Sequence, residues 1–197
     1  MHCSLDFRTA IPRPYLAYWP AVIEQNLLEE EAVILDASGN VSSTIAAGHP
    51  PKYEGLGPRA SYETAEPVDI ASLGSGKKVR LGDIALARSG DKGANVNIGI
   101  YVRDPEAYGW LRTYLSRAKM QELVGEDWRS EYTIERVEFP NLSAVHFVIY
   151  GLLGRGVTSS VKLDGLGKGF ADYIRNREVE VPESLYQRLA PRPIVSV

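Results

Sequence analysis

The chain has 197 residues, of which 44% are hydrophobic and 24% charged, the makeup of an ordinary globular protein and not of a collagen-like, disordered or disulfide-stapled one. Lys+Arg 22 against Asp+Glu 25 gives a formal charge of -3, which argues against a broadly basic nucleic-acid surface while leaving room for a local basic pocket. The single cysteine, Cys3, has no intramolecular partner, and His2, His49 and His146 lack metal-ligand spacing, so a reducing compartment and no structural metal are expected.

The chain start carries Asp6 and Arg8, and no run approaches the roughly 18 apolar residues of a membrane span. A cytoplasmic protein with no membrane partner is the expectation. Prolines at 12, 14, 20, 50, 51, 58 and 67 break the first part into short pieces, so residues 1–77 read as a proline-rich arm. Within it, Pro20 opens a run with Val22, Ile23, Leu27 and Leu28 at helical spacing, which predicts one amphipathic helix to Glu31. Ala32 to Asp36 and Val41 to Ala47 read as two short strands around the turn Ser38-Gly39-Asn40. Extended, irregular chain is expected from His49 to Pro67. The small, flexible residues Ala71 to Lys78 read as a linker.

Residues 78–197 read as the regular domain. Val79 to Ala87 alternates as a strand, with Val96 to Val102 as its antiparallel partner across a polar loop. Asp104-Pro105-Glu106 is an N-cap, a first-turn proline and an acidic residue, which predicts a helix through Trp110, Leu111, Tyr114 and Leu115. A second helical piece covers Ala118 to Val124. Tyr132 to Phe139 and Ala144 to Gly151 are two strands around Pro140 to Ser143. Asp164 to Arg177 is a final helix, and Val179 to Val181 a last strand. Strand pairs alternating with helices predict an α+β domain, an antiparallel sheet covered by helices.

Chemistry concentrates in Ala87-Arg-Ser-Gly-Asp-Lys-Gly-Ala-Asn-Val-Asn-Ile-Gly99. A plain reversal needs only a two-residue turn, whereas this stretch gathers Arg88, Ser89, Asp91, Lys92, Asn95 and Asn97, with glycines that expose backbone N–H groups to an anion. Gly151-Leu-Leu-Gly-Arg-Gly-Val-Thr-Ser-Ser160 adds Arg155 and Ser159, but it does not lead straight into a helix as a phosphate cradle does. His146 shares one face of its strand with Ala144, Val148 and Tyr150, against the apolar face Val145, Phe147 and Ile149. An imidazole there suits general acid or base work near neutral pH. Arg88, Lys92, Asp91 and His146 are the candidate catalytic residues; Ser89, Asn95, Asn97, Arg155 and Ser159 are the candidate substrate contacts. Each has a plainer reading beside it: a solvated loop of weakly paired charges, a glycine-rich connection, a hydrogen-bonded structural histidine.

Leu81-Gly-Asp-Ile-Ala-Leu-Ala-Arg-Ser-Gly-Asp-Lys-Gly-Ala-Asn-Val-Asn-Ile-Gly99, with Val137 to Leu142, Gly151 to Gly156, Leu163-Asp-Gly-Leu-Gly-Lys168 and Val179 to Pro182, resembles the C-terminal domain of the AtuA family, named for acyclic terpene utilisation. The resemblance implies a ferredoxin-like α+β domain in proteins of terpenoid and branched acyl-CoA breakdown, here in a stand-alone form without the large N-terminal α/β domain. With no nicotinamide, flavin or metal signature, no cofactor is expected. The working function is a redox-neutral small-molecule enzyme (lyase, hydratase, isomerase or cyclase) acting on a terpenoid, polyketide or acyl-derived metabolite. The competing reading is a non-catalytic binding or assembly subunit for a partner enzyme. A homodimer is expected in either case, because Val145, Phe147 and Ile149 offer an apolar sheet face and the arm suits an intersubunit contact.

Overall fold

The computed structural model describes residues 11, 12, 14, 21–49, 54, 55, 57–157, 160, 162 and 164–190; His2, Cys3 and Ser159 lie outside them. The chain divides into two compact units, one over Trp19–Arg59 and one containing Ala60–Val197.

In the first unit the predicted helix is only a 3₁₀ turn over Gln25–Leu27, with no side-chain N-cap. Val22, Ile23, Leu27 and Leu28 are all exposed, so the helical spacing has no surface to bury. Glu29, Glu30 and Glu31 would crowd negative charge at the helix's negative end. The two predicted strands do form: β1 (Glu31–Leu35) pairs antiparallel with β2 (Val41–Ala46). The Asp36 carboxylate closes their turn by accepting from Ser38 N and Asn40 N at 2.8 and 2.9 Å, and Gly39 takes φ 83°, which a side chain would resist.

The second unit opens with β3 (Gly76–Arg80) and a 3₁₀ turn over Leu81–Asp83, then β4 (Leu86–Lys92) and β5 (Asn95–Tyr101). The strand expected over 79–87 is therefore split: Leu81 is fully buried and the Asp83 carboxylate accepts from Arg80 N at 3.1 Å, which turns the chain. The polar stretch is a correction too. It forms the hairpin β4–β5, with Lys92 paired to Asn95 and only Gly93-Ala94 between them. Gly93 at φ 65° and Ala94 at negative φ suit the primed turn with glycine first.

From β5 the chain passes Asp104, whose carboxylate caps Glu106 N at 3.0 Å as expected, into α1 (Tyr108–Tyr114) and α2 (Arg117–Val124). Strands β6 (Thr133–Phe139) and β7 (Ala144–Tyr150) follow, then α3 (Phe170–Arg175), β8 (Glu178–Pro182) and α4 (Glu183–Leu189). The main sheet is antiparallel in the order β4-β5-β7-β6, and β3 pairs with β8 in a separate two-stranded sheet. This is the α+β architecture expected for a ferredoxin-like domain. Its edge position next to β5 is filled by the preceding hairpin strand β4, and the last strand pairs with β3.

The predicted final helix from Asp164 begins only at Phe170. Gly165, Gly167 and Gly169 lower helix propensity through the first turns. Ser89 then fixes the start, its hydroxyl accepting from Ala171 N at 2.8 Å and donating to Gly167 O at 2.6 Å.

Helices cover one sheet face: α1 lies against β7, α2 against β6 and α3 against β4. Val96, Ile98 and Ile100 of β5 and Val145, Phe147 and Ile149 of β7 are fully buried with Trp110, Leu111, Leu115 and Ile174. The apolar face expected to seek a second subunit is thus satisfied within the chain. Arg136 is fully buried on this face because its guanidinium is spent on carbonyls: Nε donates to Leu115 O at 2.8 Å, Nη1 to Tyr62 O at 2.9 Å and Nη2 to Arg112 O at 2.6 Å. The Glu138 carboxylate stands 2.9 Å from Nη2, so the buried charge is compensated.

The chain before the domain is likewise less free than expected. Tyr62 N donates to Arg136 O at 3.0 Å and Ser61 Oγ accepts from Arg136 N at 3.3 Å, so residues 61–62 occupy the outer edge of β6, which would otherwise be unpaired. The expected linker at 71–78 holds a 3₁₀ turn over Ile70–Leu73, capped by Asp69, and most of β3. Ile70 and Leu73 pack on the core. Local flexibility gives way there to strand pairing with β8, a partner about a hundred residues away.

Candidate functional site on the open sheet face

The face of the main sheet opposite the helices carries every second side chain of each strand. Register aligns them in rows: Leu86, Tyr101, Ala144 and Phe139; then Arg88, Gly99, His146 and Val137; then Gly90, Asn97, Val148 and Glu135. Lys92 and Asn95 follow on the hairpin end. Five of the nominated residues, Arg88, Lys92, Asn95, Asn97 and His146, therefore share one face through strand pairing.

His146 is half-buried, and its Nε2 lies 3.2 Å from Asn97 Nδ2. Asn97 Oδ1 in turn accepts from Lys92 Nζ at 3.4 Å, and the same ammonium donates to Asp91 O at 2.9 Å. An ammonium only donates, so Asn97 presents its oxygen to Lys92 and its NH₂ to the histidine. His146 Nε2 must then accept, which places the ring proton on Nδ1. Burial holds the His146 pKa below its ordinary value, and the Lys92 charge lowers it further. The ring of Phe139 meets the imidazole edge to face with centroids 6.0 Å apart. The result is a neutral imidazole of fixed tautomer, flanked by Lys92 on one side and an exposed aromatic on the other.

Two glycines keep the face low beside this chain. A Cβ at Gly99 would stand 3.8 Å from His146 Cδ2. A Cβ at Gly90 would stand 3.1 Å from Lys168 Nζ and 3.7 Å from Asn97 Oδ1, so Lys168 brings an ammonium from the turns before α3 onto the same face. Sequence reasoning missed Lys168 as a site residue. The available signal was its place at the end of Leu163-Asp-Gly-Leu-Gly-Lys168, a stretch that otherwise reads only as helix.

The remaining candidates sit elsewhere. Ser89 and Asp91 alternate onto the helix-covered face, and the buried Ser89 hydroxyl is occupied by Gly167 and Ala171. Asn95 is on the open face, but its Oδ1 accepts from Gly151 N at 2.9 Å and ties the hairpin to the loop after β7. Arg155 is exposed on that loop, which docks on the hairpin turn through Leu153 N to Ala94 O at 2.9 Å.

A cleft of about 680 Å³ lies apart from this chain of residues, lined by Gly82, Ile84, Leu86, Arg103, Asp104 and Leu189 among others. Its polar wall is internally paired, with Arg188 on Asp104 at 2.7 Å and on Glu106, and it contains no nominated residue. Volume alone favours the cleft; the fixed, neutral histidine and cations that have no ion pair among the described residues favour the open face. Among the described residues, no three His, Cys, Asp or Glu side chains gather as a metal site, and no helix is long and apolar enough to cross a membrane.

No curated protein and no solved structure matches the chain. The family model for the AtuA ferredoxin-like domain matches residues 79–180, the span that runs from the end of β3 through the whole main sheet to β8. With more than half of its length in that match, and with the α+β sheet architecture just described, the chain belongs to the AtuA ferredoxin-like domain family.

Proposed function

We propose that the open sheet face is the working surface of a small-molecule enzyme, acting without net redox change on a terpenoid, polyketide or acyl-derived metabolite. The carrying observation is the chain Lys92, Asn97, His146, which holds a neutral imidazole with its proton on Nδ1 beside cationic side chains. Such an imidazole donates a hydrogen bond to a carbonyl oxygen, while Arg88 and Lys92 supply positive charge as that oxygen gains electron density. Preorganised donors of this kind contribute a large share of rate, and losing one costs on the order of a hundredfold. This fits lyase, hydratase, isomerase or cyclase chemistry, in which a carbonyl is polarised and no electrons are exchanged with a cofactor. The test is turnover of carbonyl-containing metabolites by purified protein and by H146Q. Loss of turnover in a folded H146Q protein supports the reading, and equal turnover removes His146 from it.

A second reading is a non-catalytic binding or assembly subunit for a partner enzyme of terpenoid or acyl-CoA metabolism in the cytoplasm, itself a homodimer through the hairpin β1–β2. A lone two-stranded hairpin is marginal in water, yet Val33, Ile34, Leu35, Val41 and Ile45 are all about half exposed or more. A second copy of the chain is the occupant that would cover them. Metabolite binding without turnover favours this reading over the enzymatic one.

A further inference from the structure

The turns before α3 carry a basic residue to a place that neither the hairpin nor His146 needs for folding. Lys168 N donates to Asp164 Oδ1 at 2.9 Å, which holds the backbone, while its Nζ reaches over Gly90. Lys92 arrives from the same strand as Gly90, two residues on, and its ammonium donates to Asp91 O and Asn97 Oδ1, which leaves the third of its N–H groups for a charged acceptor. No carboxylate among the described residues forms an ion pair with Lys92, Lys168 or Arg88. Glu66, Glu63, Glu122, Glu138, Asp172 and Asp104 pair instead with Arg112, Arg117, Lys119, Arg136, Arg175 and Arg188. The Lys168 ammonium thus stands over a residue without a side chain, the Lys92 ammonium reaches Asn97 Oδ1 beside it, and neither is ion-paired with a carboxylate among the described residues.

The opposite end of the face is apolar. Tyr101 and Phe139 are 40% and 45% exposed, and the row between them and Gly90 holds Arg88, Gly99, His146 and Val137. Tyr101 is four residues along β5 from Asn97, about 13 Å at the rise of a strand. A ligand bridging both ends carries its charge at one terminus and an extended apolar body. The donors are two ammonium groups on flexible stems, which together suit one small anionic head such as a carboxylate.

We propose that the well over Gly90, between Lys92 and Lys168, is a carboxylate subsite, and that the face beyond it takes the apolar chain of a medium-length organic acid. This rests on the reading of the open face as the ligand site. Lys168 is then a specificity-determining residue, and Gly90 is glycine because a Cβ there would narrow the space in front of the Lys168 ammonium that the anion enters. The backbone of Gly90 has no positive φ, and its added Cβ would meet only the end of the Lys168 side chain and Asn97 Oδ1. G90A therefore fills the well without backbone strain.

The experiment is amide NMR of the full chain titrated with octanoate and, separately, with octanol. Octanoate is expected to shift Gly90, Asn97 and Gly99, and K168M and G90A are each expected to weaken it about tenfold while leaving the weaker octanol binding unchanged. Octanoate shifts on the open face that keep full affinity in both variants overturn the subsite while sparing the face. Strongest shifts at Asp104 and Leu189, in the cleft beside α4, overturn the face reading itself. No shift with octanoate overturns the subsite as well.

Discussion

Asn97 and His146 stand on neighbouring strands with Nδ2 and Nε2 3.2 Å apart, and the amide is oriented by Lys92 so that only an unprotonated Nε2 satisfies it. Protonating His146 would set two donors against each other or force the amide to turn away from Lys92. The neutral imidazole is thus built into the hydrogen-bond pattern as well as into its partial burial.

This has a pH signature. The folded pKa of His146 lies below its ordinary value, so the unfolded chain binds the proton more readily. The associated stability is complete above about pH 6.5, the free-histidine value, and is lost as pH falls through the lower folded value. Thermal denaturation between pH 5 and 7.5 is expected to show this loss in the wild type and less of it in H146Q. A slope identical in both proteins would count against a strained protonation at His146.

Removing the Lys92 charge is expected to raise the His146 pKa in K92M, because the smaller of its two causes disappears while burial remains. The imidazole proton resonances followed against pH measure this directly. An unmoved midpoint would mean that solvent screens Lys92 from the ring.

Arg136 is predicted to be a structural hub. R136M removes donors from three carbonyls and leaves the Glu138 carboxylate, its side chain only 8% exposed, without its partner, and breaking a buried pair in this way costs about 3–5 kcal/mol. Urea denaturation of R136M against wild type checks this. A loss below about 1 kcal/mol would place the arginine in a solvent-screened position instead.

Ser89 acts on the open face through the segment it pins. S89A strands Gly167 O and Ala171 N, a cost of about 1–3 kcal/mol, and releases the backbone that carries Lys168. The variant is expected to unfold at lower denaturant and to bind octanoate more weakly than wild type, with octanol binding unchanged. Octanoate affinity equal to wild type in the folded variant would show that Lys168 is placed without Ser89.

The dimer proposal now rests on the hairpin. Light scattering after size exclusion is expected to give a dimer for the wild type and a monomer for the double variant V33D and I45D. A monomeric wild type at micromolar concentration ends the proposal.

The sequence alone determined what depends on short-range pattern. The α+β class, the β1–β2 hairpin, the Asp104 cap and the two faces of β7 follow from periodicity and turn chemistry, which act over a few residues. The grouping of Arg88, Lys92 and Asn97 was legible because a hairpin brings near neighbours together. Tertiary structure decided the rest. Whether Val22 to Leu28 forms a helix depends on a surface to bury against, and Val22, Ile23, Leu27 and Leu28 are exposed. Whether Ser89 faces ligand or core depends on the strand extending through the polar stretch, which reverses the side of every second residue. Arg88 and His146 are set on one face by the β5–β7 register, and Lys168 reaches them because three glycines delay the start of α3 and Ser89 pins it across 82 positions. Such long-range contacts are stabilised by the packed core, and no local preference encodes them.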